Sequence, residues 1–331
     1  SGLTTTSGLT VTGDATVHGV DIGRGAGNIA SNTVVGNNAF DANSSGTSSV
    51  AVGAEALGAN TSGAQNTAVG YHALENNSTA SNNTALGHQA LEVNTTGTQS
   101  TAIGTNALDA NTTASFNTAV GYIALGANTS GSSNTAVGRN AAKASTTASN
   151  ITAVGYNALN VNTAAGSTAF GSNALAANTS GASNSAFGQS AFDANTTGTN
   201  GCAFGKSALG ANTTGDNNTA VGKEALFSNT TGDSNTAVGA LALDANTTAN
   251  ENVAVGRSAL GVSTTGAQNT AVGTYALDAN TTADSNVAVG FFSLTDNTTG
   301  ASNVAVGASA LENNTTADDN TAVGSSALAL N

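Results

Sequence analysis

The sequence predicts an all-β fold: a parallel β-roll or β-solenoid of about eighteen 17-residue coils. Three observations carry that expectation. A pentapeptide, Asn-Thr-Ala-Val-Gly or a close variant, returns every 17 residues. Its glycine falls at Gly36, Gly53, Gly70 and onward to Gly155, then after one 16-residue step from Gly171 to Gly324. The residues before that glycine alternate as a β-strand does. No Pro occurs in 331 residues, which suits a backbone whose N–H groups nearly all enter a ladder.

One coil, Asn218 to Ser234 (NTAVGKEALFSNTTGDS), serves to number positions 1 to 17. Position 4 is a large apolar residue: usually Val, otherwise Leu86, Ile103, Phe170, Phe187 or Phe204. Position 2 is Thr, Val, Ser185 or Cys202 and shares its face. Size and polarity therefore place positions 2 and 4 inside. Position 5 is always Gly, as a turn with positive φ requires. Ala-Leu at positions 8 and 9 reads as a second short strand with its Leu opposite position 4. Asn-Thr-Thr-Gly or Asn-Thr-Thr-Ala at positions 12 to 15 reads as a second turn, because Asn and Thr bond their own backbone. The 16-residue coil, Ile151 to Gly166, is expected to shorten a turn and keep the register. Coils stacked at about 4.8 Å would make a rod on the order of 85 Å long.

With positions 2 and 4 inside, position 3 points outward, and it is Ala in every copy but Val34. An outward methyl column predicts side-by-side packing of identical chains. The expected interface runs through Ala51, Ala68, Ala85, Ala102, Ala119, Ala136, Ala153, Ala169, Ala186, Ala203, Ala254, Ala288 and Ala305. In three further coils it follows Thr219–Ala220, Thr236–Ala237 and Thr270–Ala271. The thin core enclosed by 17 residues also favours association.

Residues 1–31 lack the repeat and read as a cap or neck, separate from the solenoid of residues 32–331. Alternation in Leu9-Thr10-Val11-Thr12 and in 17–22 (VHGVDI) suggests short strands between Gly turns. The chain holds no Met and stops partway through a repeat at Asn331, so sequence is expected beyond both ends.

The motif NTAVGxxAL resembles the head repeats of trimeric autotransporter adhesins, over about Asn32 to Asn331. The longer form NTAVGxxALxANTTGxx, led by LTVTGDATVHGVDIG, is similar to repeat regions of phage tail-fibre proteins. The resemblance implies a left-handed parallel β-roll assembled as a homotrimer. It also implies an extracellular place, in a virion tail or a cell-surface appendage. Tail-fibre proteins of this kind often carry a self-cleaving C-terminal chaperone domain, and its absence here fits removal on maturation.

Composition bounds the chemistry. The formal charge is −13, and the six basic residues (Arg24, Arg139, Lys143, Lys206, Lys223, Arg257) are scattered, which argues against nucleic acid as a partner. No apolar run approaches 18 residues, so no membrane span is expected. No catalytic constellation is evident, and the chain is not read as an enzyme; no cofactor or metal is expected. Asp41, Glu75, Glu92, Asp109, Asp193, Asp244, Asp278 and Glu312 share position 10 and read as a solvated acidic edge, with calcium as the sharper alternative. His18, His72 and His88 do not form a ligand pattern, although His72 and His88 can pair on adjacent coils. Phe170, Phe187 and Phe204 are expected to stack as an internal ladder, and Cys202 to be a small core residue. Tyr71, Tyr122, Tyr156, Phe291 and Phe292 fall in the first turn, where exposed rings could stack on sugars. Asn60, Asn94, Asn111, Asn195, Asn212 and Asn280 lie in Asn-x-Ser/Thr sequons, read here as turn chemistry.

These features favour a structural fibre, a trimeric tail fibre or virion appendage that displays a receptor-binding end to a cell-surface glycan or protein. The alternatives are a bacterial surface adhesin or filament, and an ice-binding solenoid. Against ice binding stands the expected burial of the position 2 threonines.

Overall fold

A computed structural model describes residues 14–330 and shows an all-β parallel solenoid. The strand expected at Leu9-Thr10-Val11-Thr12 lies outside the described residues. The chain divides into two compact units, one ending at Thr147 and one starting at Ala148. The first opens with a hairpin, β1 (Ala15–Val17) and β2 (Val20–Gly23), antiparallel through Val17↔Val20. His18 (φ 52°) and Gly19 (φ 80°) make its two-residue turn, both left-handed as such hairpins demand. Strand β2 pairs antiparallel with β3 (Thr33–Val35). From β3 to β9 (Thr135–Val137) every step within this unit is parallel. The second unit repeats that parallel stacking from β10 (Thr152–Val154) to β20 (Thr321–Val323).

From β3 onward each strand has three residues, positions 2 to 4, and its face assignment is the reverse of the one size predicts. Position 3 is buried in every coil: Ala51, Ala136, Ala203 and Ala305 are all 0% exposed. Positions 2 and 4 face out, and Phe170 is 54% exposed. The reason is the thickness of the coil. The opposite wall already fills the interior with the buried Leu or Phe of position 9, which leaves position 3 to small residues: Ala in every coil but the first, where Val34 is buried. The alanines then align in register, as Ala203↔Ala220 and Ala220↔Ala237 do, with the fully buried Ala225 and Leu226 among the residues of the other wall. The expected alanine interface is thereby overturned. The alanines fill the interior of the single chain, and Thr219, Thr236 and Thr270 are the ones that point outward.

The wall at positions 8 and 9 is not a strand. Residues at positions 7 and 9 both take left-handed φ, as in Glu224 (56°) and Leu226 (52°). A left-handed Leu costs about 1–2 kcal/mol. Full burial of a Leu contributes about 1.5–3 kcal/mol, so the conformation is retained. Hydrogen bonds between coils hold it: Leu226 N–H donates to Ala242 O at 2.9 Å, and Leu209 N–H to Ala225 O at 3.0 Å. The position 5 glycine meets two demands at once. Gly222 has φ 140°, and a Cβ there would sit 2.5 Å from Gly239 O in the next coil.

Two buried asparagine columns complete the interior. At position 12 most Asn donate to the Oδ1 of the Asn one coil earlier, as in Asn229 to Asn212 (2.6 Å) and Asn246 to Asn229 (2.8 Å). It also donates to the carbonyl three residues on, Asn229 to Gly232 O at 2.9 Å. At position 1, Asn218 reaches across the coil to the same carbonyl at 2.7 Å. Its Oδ1 accepts the backbone N–H of Asn235. Stacked amides of this kind are the ladder known from cross-β structure. The sequon asparagines Asn60, Asn94, Asn111, Asn195, Asn212 and Asn280 belong to this column and are 0% exposed.

The short coil keeps register as expected. Thr152 pairs with Thr168 of β11 (Thr168–Phe170), and Asn178 still donates to Asn162 at 2.6 Å. The missing residue therefore lies between Asn162 and Ser167. Gly166 (φ 75°) supplies the left-handed turn residue, and Asn162 bonds the carbonyl two residues on, that of Ala164, in place of three.

Candidate functional site

The outward face of each strand carries two columns. Position 2 is mainly Thr, and position 4 is an apolar residue open to solvent, as in Leu86 (46%) and Val137 (37%) in the first unit. In the second unit the position 4 column runs through Val221, Val238, Val272, Val289 and Val306, each 36–38% exposed. After Val154 it continues through Phe170, Phe187 and Phe204, whose rings stack at 6.3 and 4.5 Å. The aromatic ladder is thus present as expected, but on the outside. Cys202, the position 2 neighbour of that ladder, is a free, half-buried thiol and no core residue; burial pushes its pKa up. Sequence reasoning missed this surface because it sorted residues by hydrophobicity. The informative signal was the restriction of position 3 to Ala.

The first turn and the residues after it form a second face. In several coils the left-handed residue at position 7 aims its side chain at position 10 of its own coil. Asn106 Nδ2 donates to Asp109 Oδ2 at 3.0 Å, and Ser190 bonds Asp193. The acidic column is consequently less solvated than expected. Burial raises the pKa of Asp109, Asp193, Asp244 and Asp278, with the charge of Glu92 adding at Asp109 and those of Asp278 and Glu224 at Asp244.

His72 takes the position 7 role in its coil (φ 58°). Its Nδ1 lies 2.6 Å from Glu75 Oε2 and 3.3 Å from Glu92 Oε1 of the next coil. The Asn76 N–H donates to the backbone carbonyl of Glu92 at 2.9 Å, which ties the two coils together beside the cluster. The Tyr71 ring stacks on His72 at 3.7 Å and on His88 at 5.4 Å. The two histidines are thus joined through Tyr71, and the polar partners of His72 are carboxylates. Elsewhere in the first turn, Tyr122, Tyr156 and Phe291 are exposed. Tyr275 and Phe292 stack at 5.3 Å, with Arg257 5.4 Å above the Tyr275 ring. No helix among the described residues is long and apolar enough to cross a membrane. Neither a protein-family model nor a curated protein matches the chain.

Proposed function

We propose that the chain is a structural fibre of a virion tail or similar extracellular appendage, assembled as a homotrimer through its outward strand face. The observation that carries this reading is the solvent-open apolar column at position 4, repeated coil after coil. Sustained exposure of large apolar residues in one column is costly in water and is relieved by a second apolar surface. An identical chain offers the same column at the same spacing, so each contact recurs along the repeat. The resemblance of NTAVGxxAL to trimeric adhesin heads, and of the longer unit to phage tail-fibre repeats, supports three copies and an attachment role. In this reading a receptor-binding end engages a cell-surface glycan or protein, and the repeat acts as a spacer without catalysis. A bacterial surface adhesin built on the same unit is the nearest alternative. Native mass spectrometry tests the assembly. Three times 31.6 kDa is expected, and a monomer at micromolar concentration would refute it.

The outward position 2 threonines favour one further reading, ice binding. The burial that counted against it does not occur: Thr219 and Thr236 lie on the outer face at the coil spacing. A monomer with thermal hysteresis would select this reading, and a trimer without it the fibre.

A further inference from the structure

We infer that His72, Glu75 and Glu92 form a binding site for one divalent transition-metal ion of zinc-like chemistry. The three side chains offer one imidazole nitrogen and two carboxylate oxygens, all within 4.8 Å of one another. Ligands about 2.0–2.2 Å from a common ion fall within such a span. The cluster comes from a rule of the fold meeting a rare choice of residues. Position 7 addresses position 10 in several coils, but His72 is the only histidine at position 7, and Glu follows at position 10 in both its coil and the next. All three side chains are half-buried, with 21–27% exposure, so two carboxylates are gathered in a partly desolvated place.

As an ion pair the cluster is poorly matched. Both carboxylates converge on Nδ1, which carries at most one proton. A cation among the three groups satisfies both acids and the nitrogen lone pair together. Stacking on Tyr71 orients the imidazole plane and limits its rotation. A nitrogen in the donor set selects zinc-like ions over calcium or magnesium, which take oxygen ligands. Three protein ligands leave a fourth position for water, as in open zinc sites. Because the ligands come from adjacent coils of one chain, the site is independent of the oligomeric reading.

The test is calorimetric titration of zinc chloride into the chelator-stripped full chain at neutral pH, with and without millimolar calcium. One ion per chain is expected, undisturbed by calcium. His72→Asn is the main variant, because Asn already occupies position 7 with the same φ in the coils of Asn106 and Asn140. It should weaken binding at least about tenfold while leaving the circular dichroism and melting temperature of the metal-free chain unchanged. Glu92→Gln should weaken it similarly. Cobalt(II) should develop visible absorption of a four-coordinate site in the wild type only. Equal affinity in wild type and His72→Asn overturns the proposal, as does displacement by calcium, which would assign the binding to the acidic column.

Discussion

Two breaks in the position 12 asparagine ladder allow the worth of a single rung to be measured. Ser145 and Ser263 stand where the column has Asn, and among the described residues four buried polar atoms lack a protein partner: Asn128 Oδ1, Ser145 Oγ, Asn246 Oδ1 and Ser263 Oγ. These are the two serines and the asparagines one coil before them, whose Oδ1 would accept from the missing amide. Consider Ser263→Asn. The backbone is already that of an Asn rung. Ser263 N–H bonds Leu260 O at 3.2 Å, and its neighbours Asn246 and Asn280 make the same bond at 3.3 and 3.2 Å. The new Nδ2 would donate to Asn246 Oδ1 and to Gly266 O, which now accepts from Asn252 alone. Its Oδ1 would accept from Asn280 Nδ2, which now donates to Ala283 O.

Relief of an unsatisfied buried acceptor is worth about 1–3 kcal/mol, and each further hydrogen bond about 0.5–1.5 kcal/mol. Fixing the longer side chain opposes this with about 1 kcal/mol of rotamer entropy. The net expectation is about 1–5 kcal/mol of added stability. Urea denaturation followed by circular dichroism reads it as a higher midpoint at unchanged slope. Asn229→Ser, which opens a third gap, should lower the midpoint by a similar amount. An unchanged or lower midpoint for Ser263→Asn, with Asn229→Ser neutral, would refute the claim that the ladder contributes to stability.

Three further outcomes follow from the same geometry. Gly201 stands at position 1 where Asn is usual, because a Cβ there would lie 2.2 Å from the Phe192 ring; Gly201→Asn should cost upwards of about 3 kcal/mol, and adding Phe192→Leu should recover most of it in a double-mutant cycle. Additive losses would refute that compensation. Position 4 is open to solvent, so Val238→Lys with Val272→Lys should leave the circular dichroism intact and reduce the native mass to 31.6 kDa, whereas Ala237→Asp should prevent folding. Intact assembly in the lysine variant would remove the outward face as the interface. Asp109, Asp193, Asp244 and Asp278 have folded pKa values raised by burial above the ordinary 3.8, so the native state binds more protons than the unfolded one in the window above 3.8. Stability should therefore rise as pH falls from 7 into that window, and Asp244→Asn with Asp278→Asn should raise the neutral-pH melting temperature and flatten the slope. A melting temperature that falls steadily on acidification, unaltered by the variants, would contradict this.

The period made the solenoid legible, but not which way its residues face. Thr219, Ala220 and Val221 alternate whichever face is inward, and alternation carries no sign. Hydrophobicity selects Val as the core residue. The evidence against it was tolerance: position 4 accepts Val, Leu, Ile and Phe, as a surface can, while position 3 accepts Ala in all coils but the first. Ala-Leu at positions 8 and 9 likewise reads as a strand because nothing in Leu226 announces a left-handed residue. A partial clue lay two residues earlier, where Asn or His stands at position 7 in six coils, types enriched at positive φ, although Ile123, Leu241, Tyr275 and Phe292 hold the same φ in others. The His72 cluster was illegible for a different reason: His72 and Glu92 are 20 residues apart, and only the stacking register makes them neighbours.

The asparagine columns address a problem that the apolar interior leaves open. Every coil presents nearly the same Ala, Ala and Leu, so apolar contacts alone discriminate weakly between the true path of the chain and one in which a turn gains or loses a residue. The position 12 Asn rejects such errors, because it must meet both the Asn one coil earlier and the carbonyl three residues on. The coil from Ile151 to Gly166 shows how narrow the tolerance is. It loses one residue, yet Asn162 keeps its rung with Asn178 at 2.6 Å and shifts only its local bond, to Ala164 O. The change is absorbed between the two asparagine columns, where the turn faces solvent, and the strand that follows pairs in register. A deletion between positions 5 and 12 would instead move Leu out of its column and Asn out of its rung together. The sequence varies accordingly: its one length change falls in the second turn, and the stretch from the invariant Gly to the Asn or Ser of position 12 keeps the same length in every coil.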